Sequence, residues 1–475
     1  MSASSRKLCL GCVLVWSVTQ VFGFTLDGVL APWQTPRLGY DLSASLFGGP
    51  MNLGEEYRWN VPVVYYTFTP EFLNYFGQKG VDEIEKAIQF MNDLPPVSQL
   101  NLEDYPLTSQ RINHRAEAVF LVDLKSEALS FLLQGAGVTD PTRYVYTLRN
   151  RWISPGGAPT NYYVIKRNFD PVTLHHSSFV NGTLWTYTTI IDGPVRSLAI
   201  TAPVDPLALL GLISAPVTSG FVGGTGLLVQ GGFWTGLTRD DVGGLKYVYH
   251  RTNYNVENPP PNAFTGIGTS GVTGGGGSPW TIPAPPPTNA PPGTVVNTNF
   301  ITSALRSGIE KVAYQRVDFD SRFGFFEPFT NSWTDTIVTN GATRSQTLLR
   351  PQLSADIIFD AADLQGPDDN MGVVVVQADA INWTNNAALN GLFDPAANFG
   401  PGVIQPAQGG AGSLVLTFNA VGPLLLNINP FFLSEANAFT VTFLWGSFDG
   451  STNEPVVYPV GTSIYQVEAQ VLGGR

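Results

Sequence analysis

The 475 residues include 25 lysines and arginines against 37 aspartates and glutamates, a formal charge of -12. Arg143, Arg149 and Arg151 form the densest basic group, without a basic tract around them. This argues against a nucleic-acid partner, because neutralising phosphates needs clustered cations. With 43% hydrophobic and 13% charged residues, the chain is too apolar to be disordered and long enough for two or three hydrophobic cores.

The amino terminus reads as an export signal. Arg6 and Lys7 are the only charges before an apolar run from Leu8 to Trp16, and Val21-Phe22-Gly23 offers a small residue for cleavage near Phe24. The run breaks at Ser17, Thr19 and Gln20, too early for the roughly 20 apolar residues that span a bilayer. Residues 1–23 are therefore expected to be a signal peptide, leaving a secreted, extracellular or cell-envelope protein with no transmembrane segment. Cys9 and Cys12 are the only cysteines and would leave with the signal, so their C-x-x-C spacing points to no redox or metal site.

Residues 24–258 read as an α+β domain. Val61 to Phe68 is β-branched and aromatic on both faces, the pattern of a strand inside a sheet. In the stretch that follows, Val81, Ile84, Ala87, Ile88 and Met91 share a helical face that Pro95-Pro96 ends. A second helix is expected from Ser126 to Gln134, closed by Gly135, with strands at Tyr162–Ile165 and Leu184–Ile191. From Pro259 to Gly293 the chain is rich in proline and glycine and carries no charge. This predicts a linker, with a long surface loop as the alternative.

Residues 294–475 carry short apolar stretches at Ala355–Phe359, Gly372–Gln377, Ser413–Phe418, Phe439–Trp445 and Val456–Tyr458. Tyr465, Val467, Ala469 and Val471 then alternate with polar residues, which reads as a final strand. The expected fold is mixed: an α+β amino-terminal domain followed by an all-β, sandwich-like carboxy-terminal domain.

Candidate chemistry is sparse. The four histidines, His114, His175, His176 and His250, show no zinc spacing. There is no G-x-S-x-G elbow or phosphate loop, and the glycines of GFVGGTGLLVQGG lack the lysine and flanking elements of a nucleotide site. Asp318 and Asp320 would share a strand face and are candidates for a hydrolase using paired carboxylates. Asp360, Asp363, Asp368, Asp369 and Asn370 concentrate hard oxygens in DAADLQGPDDN, where calcium is a possible cofactor and a plain solvated turn the alternative. Scattered tryptophans belong in cores, although an exposed one can stack on a sugar or anchor a partner.

RWNVPVVYYTFTPEFLNYF, the helix VDEIEKAIQFMN and the later FWTGLTRDDVGGLKYVYH resemble the first strand, first helix and closing helix of the matrixin-type metalloproteases. Leu237, Asp241, Gly244 and Tyr249 match the closing L-x-x-x-D-x-x-G-x-x-x-x-Y pattern. About 60 residues carry the likeness, as order-of-magnitude coverage of a motif-level match. That family binds zinc through H-E-x-x-H-x-x-G-x-x-H, and nothing between Asn92 and Phe233 supplies it. The resemblance thus implies the fold without the zinc site. The functional expectation is a structural or binding, non-enzymatic protein whose partners are other extracellular or envelope proteins or glycans.

Overall fold

The computed structural model describes residues 22–28, 50–139, 141–153, 155–156, 160–192, 197–205, 230–260, 262–265, 300–301, 303–320, 325–364, 378–379, 381–385, 402–406, 413–418, 423–426, 439–442 and 444–473. The apolar run VVYYTF forms a strand at Val63–Phe68 and buries nearly all of itself. Such a strand has two edges to satisfy as well as two faces to cover. Its neighbours are Ala313–Arg316 on one side and Ile357–Asp360 on the other, both parallel to it. Leu414–Thr417 adds a fourth parallel strand, and Ala378–Asp379 closes the sheet antiparallel.

The first helix, α1 (Pro70–Asn92), lies against this sheet. Thr69 caps it by accepting from the Phe72 N–H at 3.2 Å, and Pro70 occupies its first position. Phe72, Phe76, Val81, Ile84, Ala87, Ile88 and Met91 are buried. Gly77 breaks the helix with φ of +62°, where the chain bends past Val460. The remaining helices among the described residues are α2 (His114–Ala118), α3 (Leu124–Gly135), α4 (Pro141–Tyr144), α5 (Arg239–Tyr249) and α6 (Ile464–Gly473). None of them is long and apolar enough to cross a membrane.

The division into an α+β amino-terminal domain and an all-β, sandwich-like carboxy-terminal domain is overturned by the pairing of the strands. Besides the central sheet, Tyr57–Arg58 pairs with Gly402–Pro406 and Leu121–Asp123 with Leu444–Ser447, both parallel. Asn255–Glu257 and Phe264–Thr265 flank the long hairpin sheet built from Ala304–Arg306, Phe329–Thr339 and Ala342–Gln352. The two halves are interleaved in one fold. Hydropathy patterning reports which faces are buried, not which distant segment supplies the neighbouring edge, so the strands after Gly293 looked self-sufficient.

Buried ion pairs hold the interleaved parts together. Arg58 Nε meets Glu257 Oε1 at 2.7 Å, and its Nη atoms donate to the carbonyls of Val248, Asn253 and Arg306. Arg306 pairs with Asp335 at 2.9 Å and also donates to the Glu257 carbonyl. Arg350 pairs with Asp356 at 2.7 Å, while the other oxygen of Asp356 accepts from the Tyr65 N–H at 2.9 Å. Each pair is almost wholly enclosed, and such charges must be matched and hydrogen-bonded to be tolerated.

The final segment also departs from expectation, forming α6 rather than a strand. Ile464 and Val467 are buried and Val471 packs beside them, a spacing of three and four that fits a helical face. Tyr465 and Ala469, which alternation assigned to the core, are exposed. Arg115 fixes the helix from outside, pairing with Glu468 at 2.7 Å and lying 4.9 Å over the Tyr465 ring.

Candidate functional site

Several polar and ionisable side chains are carried into the interior by helix α3. Leu121–Asp123 leads directly into it, and the Asp123 carboxylate caps its first turn, accepting from the Ser126 N–H at 3.0 Å and the Ser126 hydroxyl at 2.5 Å. Ser126 Oγ in turn accepts from the Trp234 N–H at 2.9 Å, tying α3 to the strand Gly232–Trp234. Every residue of α3 is buried, its charged members included. The Lys125 ammonium stands 5.5 Å over the Phe233 ring. Burial pushes the Glu127 carboxyl up to about 8, with the nearby Asp123 charge adding to the effect. Burial likewise pushes Asp123 up to about 6, against the opposing pull of Lys125 and of the Ser126 hydrogen bonds.

Beyond α3 the chain turns at Gly137, whose φ is +97°. A β-carbon there would stand 2.2 Å from the Tyr57 carbonyl oxygen, so this position requires glycine on both conformational and steric grounds. Ser130, Phe131 and Gln134 of the same helix are buried, and Gln134 Nε2 donates to Ser130 Oγ at 3.5 Å.

Comparison with known proteins finds no matching family, no similar curated protein and no similar solved structure.

Leu237, Asp241, Gly244 and Tyr249 have definite packing roles. Leu237 is buried ahead of α5, and Asp241 completes a capping box with Thr238, accepting from its N–H at 2.8 Å and its hydroxyl at 2.5 Å. Gly244 lets the Val138 methyls approach, which would lie 3.0 and 3.1 Å from a β-carbon. The Tyr249 hydroxyl donates to the Ala136 carbonyl at 2.8 Å and accepts from the Trp59 N–H at 3.2 Å, joining α5 to the end of α3. Neighbouring Asp240 is fully enclosed and accepts from the N–H groups of Asn181, at 2.6 Å, and Gly23. Burial holds its carboxyl well above the usual range.

The acidic loop is only partly within the described residues. Asp360 Oδ1 accepts from the Thr69 hydroxyl at 2.6 Å and from the N–H groups of Ala361 and Ala362 at 2.9 and 3.2 Å. It therefore supports the start of α1. Asp363 lies in the short turn Ala362–Leu364, and Asp368, Asp369 and Asn370 lie outside the described residues. Among the described residues no group of three histidine, cysteine or acidic side chains is placed to hold a metal.

Asp318 pairs with Arg316 at 2.8 Å on an open surface, its side chain 74% exposed, and Arg316 also meets Glu85 at 2.7 Å. That is a surface charge network rather than one wall of a groove. Asp320 belongs to the short strand Phe319–Asp320. The His176 ring packs on Phe169 at 4.9 Å between centroids, and both His175 and His176 are exposed; partial desolvation and nearby cations lower the His176 pKa. A cavity of about 280 Å3 beside Leu237 is lined by Phe90, Asp93, Tyr105, Ser109 and Thr235, with no nucleophile paired to a base.

Sequence reading missed the buried charges of α3 and Asp240. One signal was present: LKSEALSFLLQ carries Lys125 and Glu127 within an otherwise apolar helix that offers no fully polar face.

Proposed function

We propose that this chain is an exported, non-enzymatic protein of the extracellular space or cell envelope, with a structural or binding role. In that reading α3 serves packing rather than chemistry. The observation that carries it is the burial of α3 along its whole length, with Asp123 and Ser126 spent on its cap and on the Trp234 N–H, and Gln134 donating to Ser130.

The helix around these residues is closed to substrate as well. α3 is buried along its length, so a peptide would have no route to Ser130 without disrupting the core. Export is supported by the charge and hydropathy order of residues 1–23 and by the absence of cysteine after Cys12.

The test uses purified protein beginning at Phe24, assayed by zinc titration calorimetry and by hydrolysis of a denatured protein substrate. No stoichiometric zinc binding and no chelator-sensitive cleavage are expected, and either activity would overturn the non-enzymatic reading. Export is tested separately by sequencing the amino terminus of protein recovered from producing cells. An intact Met1 in the cytosolic fraction would remove it.

A further inference from the structure

Between Pro141 and Phe169 the sequence holds Arg143, Arg149, Arg151, Lys166 and Arg167 and no acidic residue, although the chain as a whole is at -12. Most of this stretch is an antiparallel hairpin, Thr147–Ile153 with Thr160–Ile165. Its register pairs Asn150 with Tyr163 and Trp152 with Asn161, which puts these four side chains on one face. The opposite face carries Leu148, Tyr162 and Val164 into a small core with Tyr144, Ile190 and Ala199.

The first face is open. Trp152 is 69% exposed and Tyr163 58%, and Asn150 and Asn161 are exposed with them. A bulge between Leu148 and Asn150 turns Arg149 outward, and its guanidinium lies 5.9 Å over the Tyr163 ring. Folding gains little from a large apolar ring held in water, so the fold itself gives no account of this pair.

We propose that this hairpin face binds a carboxylate-bearing polysaccharide. The proposal rests on the reading of the chain as an extracellular binding protein, and it names the ligand class and the surface. Trp152 and Tyr163 are diagonal cross-strand neighbours, roughly 7–8 Å apart in a regular ladder, and present two ring faces to the C–H faces of successive sugars. The amides of Asn150 and Asn161 flank the rings and meet hydroxyls. Arg149 supplies the planar donor pair that suits a carboxylate. A peptide held by its side chains would instead need a deep apolar pocket, whereas this face offers two exposed rings flanked by the amides of Asn150 and Asn161. The charge placed on this face is that of Arg149, whose guanidinium lies over the Tyr163 ring, and on a molecule of net charge -12 an exposed cation beside two stacking rings selects a carboxylate-bearing sugar chain over a neutral one.

Affinity electrophoresis of the full chain from Phe24 tests the assignment, with gels containing polygalacturonate, neutral dextran or single-stranded oligothymidylate. Polygalacturonate is expected to retard the protein, dextran much less, and the retardation should weaken with added salt. The double substitution Trp152→Ala with Tyr163→Ala should reduce binding roughly tenfold or more at an unchanged melting temperature. Arg149→Gln should weaken binding and flatten its salt dependence. No retardation by polygalacturonate, equal retardation of the double variant, equal binding to dextran, or stronger binding to oligothymidylate would each overturn the proposal. Because the assay is made on purified protein, failure here leaves the export and zinc tests standing on their own.

Discussion

Helix α3 and the hairpin Thr147–Ile165 invert the usual relation between residue type and place. The helix carries Lys125, Ser126, Glu127, Ser130 and Gln134, the polar and ionisable residues from which sites are made, and buries every one of them. The hairpin carries Trp152 and Tyr163, the residues from which cores are made, and holds both in solvent. In the helix the polar groups cap, cross-link and fill, which is structural work. In the hairpin the aromatic rings have no partner across a core, and the proposed binding surface is the use that would account for them. Function follows from the mismatch between a side chain and its surroundings more than from the side chain itself.

The largest test of the structural side lies where the interleaved parts meet. Arg58→Met removes the partner of the buried Glu257 and releases three carbonyls from their donor. The expected loss is about 3–5 kcal/mol, read as a lower midpoint in chemical denaturation. Because Arg58 and Glu257 lie before Pro259 and Arg306 after Gly293, the unfolding should remain a single transition. Two separate transitions would show that the halves are independent domains after all.

Glu127 provides the next largest effect, with a definite pH direction. Its carboxyl lies at about 8 in the folded protein, against an ordinary 4.5. Below pH 4.5 both states are protonated and the group is neutral to stability. Between 4.5 and 8 the unfolded chain has released its proton while the folded one retains it, so stability falls as pH rises through that window. Asp123 works in the same direction between 3.8 and about 6. Glu127→Gln should remove much of the decline and raise stability at pH 8 by on the order of 3 kcal/mol. A wild-type stability that climbs from pH 5 to 8, unchanged in slope by the substitution, would show that Glu127 is ionised and paired.

Tyr249→Phe comes third. It deletes the hydroxyl that links the Ala136 carbonyl to the Trp59 N–H and leaves both buried, for an expected loss of roughly 1–3 kcal/mol. The melt should shift down while the far-ultraviolet spectrum stays unchanged. A melt identical to wild type would mean that α5 is not braced through this hydroxyl.

Local features were legible in the sequence and long-range ones were not. VVYYTF announced an internal strand, and the period of Val81, Ile84, Ile88 and Met91 announced the main face of α1, because both signals are complete within a few turns of chain. Nothing in VVYYTF named Ala313–Arg316 and Ile357–Asp360 as its neighbours, since pairing depends on edges rather than faces. Val467 and Val471 satisfied a period of two and a helical period at once, and only Ile464, outside the alternating set, decides between them. On the site side, LKSEALSFLLQ showed Lys125 and Glu127 within an apolar helix, but their burial was not legible, because it depends on the elements packed around α3. The exposure of Trp152 was equally hidden: alternation on a hairpin distinguishes two faces without saying which one meets solvent.

The smallest expected effect sharpens the comparison most directly. Trp152→Ala removes a large ring from a face where it is 69% exposed, with Asn161 as its cross-strand neighbour. Trp445→Ala removes the same side chain from a site where it is 1% exposed and packs edge-on against Phe76 and Phe418. Deleting a buried aromatic of this size costs about 3–5 kcal/mol, through lost transfer energy and the cavity left behind. An exposed substitution away from such packing stays within about 0.5 kcal/mol, a shift of roughly 1–2 °C in a chain of this size. The pair should therefore separate by several degrees in a thermal melt, with Trp152→Ala close to wild type. If Trp152→Ala instead matches Trp445→Ala, the ring is packed in solution against residues outside the described set. The hairpin face would then be a core surface, and the aromatic contribution to ligand binding would have no basis.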